Sequence, residues 1–128
     1  MQAKWLDRTL ISSQCLTLCV NEKEYQSALN DLNISKYGRG NWVNDGANAT
    51  THFFDGAGGA VVVCIDEYED TDPIMVCGLL IHEAVHIWQD FCRRIGEDCP
   101  SDEFEAYSIQ MIAQRLMSSF REKVCKQS

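Results

Sequence analysis

The segment from Asp72 to Gly96 constrains this chain more than any other. Asp72 is a natural N-cap, Pro73 suits the first helical position, and Gly96 suits the position just past the end. Residues 73–95 are therefore expected to form one helix, about 34 Å long at about 1.5 Å per residue. Its apolar residues, among them Ile74, Leu80, Ala84, Ile87, Trp88 and Phe91, occupy most of its circumference. A helix that is apolar nearly all round is expected to be buried. Yet this one carries two histidines and a glutamate, in the order His82-Glu83-Ala84-Val85-His86.

The spacing of these three polar residues suits metal chemistry. His82 and His86 are four apart, so both project from one helix face, about 40° apart around the axis. Two imidazoles placed in this way reach one tetrahedral Zn²⁺ at about 2.0–2.1 Å each. Glu83 lies about 100° round from His82, where its carboxylate meets a zinc-bound water without ligating the metal. Zinc lowers the pKa of that water towards about 7, and a carboxylate that takes the proton leaves a hydroxide nucleophile. The competing reading makes the histidines satisfied core residues and the glutamate a surface charge. On a buried helix it leaves three polar groups without partners, at roughly 1–3 kcal/mol each.

A catalytic zinc takes three protein ligands and keeps one position open. Positions 89 and 92 hold Gln and Cys, so no third histidine follows closely. His52, the remaining histidine, falls in an expected strand and reads as an ordinary polar residue of a strand face. Glu103 and Glu105, on the next helix, are the better candidates. Periodicity puts Glu105 nearer the Ile109, Ile112 and Leu116 face. Each glutamate also has a plain role: Glu105 closes a capping box with Asp102, and Glu103 complements the helix dipole.

Around this centre the chain alternates short elements and turns. Residues 10–20 partly alternate and suggest a strand. Asn21 and Glu24 form a capping box that opens a helix reaching about Leu32. Residues 35–50, rich in Gly and Asn, form turns or a loop. A short strand at 50–54, a turn at 55–59 and the clearest strand, 60–66, read as a hairpin. The edge of strand 60–66 is a candidate for receiving an extended peptide. The run Asp66, Glu67, Glu69, Asp70 and Asp72 reads as a solvated loop, which beside a cleft would favour basic substrates. The second helix starts at Ser101 or Asp102 and ends near Val124; the short link makes the two helices antiparallel neighbours.

The 128 residues, 45% of them hydrophobic, suit a single domain spanning 1–128 with a real core. The net charge of −8, with no concentration of Lys and Arg, argues against nucleic acid and against an anionic membrane surface. No apolar run is long enough to span a bilayer. Asp7 and Arg8 stand where a signal peptide would be apolar, so the expected location is the cytoplasm. The seven cysteines, odd in number and without zinc-ribbon or CxxC spacing, are expected to be reduced thiols. Cys64, Cys77 and Cys92 lie in apolar runs and read as small core residues, and a Cys92–Cys99 bridge stays open if the protein is exported.

The stretch from Leu80 to Gln89, joined with Glu103-Phe104-Glu105-Ala106-Tyr107-Ser108-Ile109-Gln110, resembles the gluzincin pattern: HExxH with a downstream Glu in an ExxA context. It is similar to short metallopeptidases encoded by tailed bacteriophages and prophages, over roughly residues 60–120. The resemblance implies Glu103 as the third zinc ligand, with Ala106 allowing close approach of the two helices. Many gluzincins carry an Asp four residues after that ligand to orient a zinc-bound His. Here Tyr107 stands at that place, and Gln110 is a substitute candidate. Tyr107 is also a candidate for stabilising an oxyanion, against a plain role packed between the helices.

The expected fold is α+β, a small twisted sheet packed on two long helices as a minimal zincin-like domain. The expected activity is zinc-dependent hydrolysis of a peptide or protein substrate with Glu83 as general base, in the host cytoplasm if the chain is phage-encoded. The alternative is a zincin-fold protein with poor turnover that acts by binding a host protein. No sequence feature assigns an oligomeric state.

Overall fold

The computed structural model of the chain describes residues 3–6, 15–55 and 59–125. Four strands, β1 (Trp5–Leu6), β2 (Cys15–Cys19), β3 (Ala49–Phe54) and β4 (Ala60–Ile65), form one mixed sheet in the order β1-β2-β4-β3. β2 runs parallel to β4, and both outer pairs are antiparallel. Helix α1 (Glu22–Asp31) covers one face of the sheet, and α2 (Pro73–Ile95) with α3 (Asp102–Cys125) covers the other. The protein is thus α+β in three layers. The first part of the strand expected over 10–20 lies outside the described residues.

Alternation along β4 divides the core. Val61, Val63 and Ile65 face Leu80, Ala84, Ile87, Trp88, Ile112 and Leu116, whereas Val62 and Cys64 face Tyr25, Ala28 and Leu29. All six β4 residues are buried, which is why this strand reads as a continuous apolar run. β4 lies between β2 and β3, so neither of its edges is free. The expectation of a peptide-receiving edge on strand 60–66 is therefore corrected: the sheet edge on this side is β3.

Helix ends follow their local chemistry. Asn21 Oδ1 accepts from the Glu24 amide at 2.9 Å. The Glu24 carboxylate accepts from the Val20 amide at 2.9 Å and pairs with Lys123 Nζ at 2.8 Å. Lys123 also donates to the Leu18 carbonyl at 2.7 Å, so one ammonium ties the end of α3 to β2 and α1. Asp72 accepts from the Ile74 amide at 2.8 Å, Pro73 opens α2, and Gly96 ends it with φ 73°, a conformation that glycine adopts without a Cβ clash. α2 and α3 are antiparallel: Trp88 meets Glu105 near the start of α3, while Cys77 and Leu80 neighbour Met117 and Phe120 near its end.

Two expectations about burial are corrected. α2 is not buried all round: Ile74 is 79% exposed, Met75 63% and Ile81 44%. The sheet and α3 cover only part of the helix, and the apolar residues beyond them face solvent. Cys77 is exposed rather than in the core, whereas Cys64 and Cys92 are buried, and none of the seven cysteines is joined in a disulfide. Among the described residues, no helix is long and apolar enough to cross a membrane.

Candidate functional site

His82 and His86 stand on the exposed face of α2. Their Nε2 atoms are 3.1 Å apart, with ring centroids 4.7 Å apart and planes at 78°. Two nitrogens that share a tetrahedral ion at about 2.0–2.1 Å each are separated by about 3.3–3.4 Å. The pair stands within a few tenths of an ångström of that geometry. His86 Nδ1 lies 3.3 Å from Gln89 Oε1. With Nδ1 donating to that amide oxygen, Nε2 keeps its lone pair on the side of His82.

The two histidines are exposed. They are solvated and need no buried partners, so the burial penalty applies to Glu83 alone, which is 6% exposed. Glu83 lies about 100° round α2 from His82, on the side that meets β3. Thr51 Oγ1 donates to Glu83 Oε1 at 2.7 Å. The other oxygen, Oε2, is 4.0 Å from His82 Nε2. One oxygen is thus held by the sheet while the other faces the histidine pair. Arg94 fastens the same two elements, pairing with Asp90 on its own helix and with Asp55 just past β3.

α3 brings a different carboxylate to α2 from the one the ExxA context implies. Trp88 Nε1 donates to Glu105 Oε2 at 3.0 Å, so Glu105 faces α2 rather than closing a capping box. Trp88 lies about 120° round α2 from His82, which puts this bond on a different face from the histidines. Glu103 and Tyr107 each lie two residues from Glu105, about 160° round α3, and both are exposed. Tyr107 is 62% exposed and does not fill the space between the helices; the ring of Phe104, also exposed, lies edge-on to that of Trp88 at 5.3 Å. Among the described residues, no hydrogen bond or ion pair joins Glu103, Glu105 or Tyr107 to either histidine. Nor is any group of three or more His, Cys, Asp or Glu gathered to hold a metal ion.

The remaining polar features fall elsewhere. His52 alternates with Thr51 and so faces α1; its Nε2 is 2.8 Å from the Trp42 carbonyl, and its ring lies between Tyr25 and Phe54. Asp72, the last residue of the acidic run, stands ten residues and about 15 Å along α2 from His82. No sequence motif marks Thr51. The only signal for it is β3 alternation, which puts Thr51 with Phe53 on the helix-facing side. The structure therefore unites His82, Glu83, His86, Gln89 and Thr51 in one cluster. Comparison with protein families, with curated proteins and with solved structures gives no match to this chain.

Proposed function

We propose that this chain is a zinc-dependent hydrolase of peptide or amide bonds, with His82 and His86 as ligands and Glu83 as general base. One observation carries the reading: two Nε2 atoms 3.1 Å apart, with a carboxylate oxygen 4.0 Å from one of them, on consecutive turns of one helix. The donor set fits zinc in its nitrogen half, and Gln89 holds His86 in the tautomer a metal needs. The third donor comes from the first turn of α3. Glu105 already faces α2, and Glu103 has the ExxA context. A zinc ion held by these residues would supply Lewis-acid polarisation of a carbonyl and a bound water of lowered pKa. Glu83 then takes the proton on Oε2, while Oε1 stays bonded to Thr51, and returns it to the leaving amine. The exposed histidines leave room for a polypeptide, and β3 offers the neighbouring sheet edge. On this reading the fold is a minimal zincin-like domain of gluzincin type, and the phage resemblance supports action in a host cytoplasm.

A second reading, a protein of this fold that binds a host protein and turns over poorly, rests on one observation. Ile74, Met75 and Ile81 on α2, with Phe104 and Tyr107 on α3, are exposed large side chains of the kind that protein interfaces use. Zinc-loaded protein and its Glu83→Gln variant, incubated with a mixed peptide library and read by mass spectrometry, separate the two. Cleavage that falls by about 10²–10⁴-fold in the variant supports the hydrolase. Absence of cleavage by either, with equal retention of a host partner by both, supports the binder.

A further inference from the structure

A second site lies on the other side of α2 from the histidines. The N-terminal half of α2 and the C-terminal half of α3 leave a groove of about 660 Å³ between them. Leu80, fully buried, forms its floor, and Leu80 lies about 160° round α2 from His82. The volume falls within the range of about 300–1,000 Å³ usual for small-molecule sites, which favour apolar clefts between helices.

The α3 wall is built in two stripes. Met117, Phe120 and Val124 recur at helical spacing and make an apolar face. Beside it Gln114, Ser118 and Arg121 recur at i, i+4 and i+7 and make a polar rail. Arg121 is the one charged residue of the lining. Lys4, Arg39, Arg94 and Lys123 each bond to carboxylate, amide or carbonyl oxygens. Arg121 is exposed and, like Lys23, Lys36 and Arg93 among the described residues, makes no hydrogen bond or ion pair; it alone of these four lines the groove. A guanidinium binds carboxylate with two parallel hydrogen bonds, and the Ser118 hydroxyl and Gln114 amide are further donors on the same rail.

From this pairing we infer that the groove binds a small amphiphile with an unbranched apolar chain and a carboxylate head, taken up as a free monomer. The chain lies along Leu80, Met117, Phe120 and Val124, and the head meets Arg121. A net charge of −8 repels an anionic bilayer surface, so the free carboxylate is favoured over a membrane-held one. The inference stands independently of the histidine site.

Calorimetric titration with straight-chain carboxylates of six to twelve carbons, below their aggregation concentrations, tests it. Each added methylene is expected to tighten Kd by about fourfold until the groove is full. The alcohol of equal length is expected to bind about tenfold more weakly than the carboxylate. Arg121→Gln is expected to bring the carboxylate down to the alcohol's affinity. Val124→Glu is expected to weaken both, with unchanged circular dichroism. No binding of the twelve-carbon carboxylate, equal binding of alcohol and carboxylate, or an unaffected Arg121→Gln variant overturns the inference. So does sedimentation with phosphatidylglycerol vesicles by protein that ignores the free carboxylate.

Discussion

Thr51 on strand β3 holds Glu83 on helix α2 by a 2.7 Å hydrogen bond from hydroxyl to carboxylate. The carboxylate is almost wholly buried, so this bond replaces solvation that Glu83 has lost. Thr51→Val keeps the shape and removes the donor. It is expected to destabilise the fold by about 1–3 kcal/mol in urea unfolding. Thr51→Ser, which keeps the hydroxyl, is expected to recover most of that loss. A Val variant as stable as the parent shows that the bond does not hold Glu83.

Glu105 and Glu103 make opposite predictions about the third zinc ligand. Glu105 is turned to α2 and bonded to Trp88, whereas Glu103 lies on the far side of α3. The geometry therefore favours Glu105. Glu105→Gln is expected to weaken zinc binding by about tenfold or more, and Glu103→Gln by less than about twofold. The opposite order, read in a competitive titration against a zinc-sensitive dye, assigns the ligand to the ExxA glutamate instead.

Cys64 gives the fold a pH dependence on the alkaline side. Its hydrogen bond with Cys19, then burial, push the thiol above its ordinary value of 9.0. As pH rises past that value the unfolded chain releases the proton while the folded one keeps it. The contribution of this thiol is thus complete below about pH 9 and declines above it, by at most about 1.4 kcal/mol per pH unit. Urea midpoints at pH 8 and pH 10 are expected to fall less steeply in Cys64→Ala than in the parent. Equal slopes exclude Cys64 as the source.

The sequence revealed the ends of elements better than their arrangement. Asp72, Pro73 and Gly96 bound α2 through interactions within a turn, and Asn21 starts α1 in the same way, so these boundaries are local and readable. Which strand lies inside the sheet depends on partners distant in the chain. β4 pairs in parallel with β2 across α1 and the long loop, and nothing near residue 60 specifies that. The unbroken run Ala60-Val61-Val62-Val63-Cys64-Ile65 did carry a hint, since strands covered on both faces lack alternation.

The candidate site divides in the same way. The pairing of His82 with His86, and the turn of Glu83 away from them, follow from helix geometry alone. Gln89 follows too, three residues on from His86. The partner of Glu83 does not, because Thr51 lies 32 residues upstream in a different element. The apolar circumference of α2 misled the expectation of burial. Counting apolar residues does not say how much of a helix its neighbours cover, and here Met75 and Ile81 share the outside with the histidines.

Zinc binding by the histidine pair is tested most directly by titrating metal-free protein with Zn²⁺ in a calorimeter, beside His82→Ala and His86→Ala. The account predicts about one zinc per chain and loss of binding in both variants. No heat of binding from the parent, or the same binding in parent and variants, contradicts it.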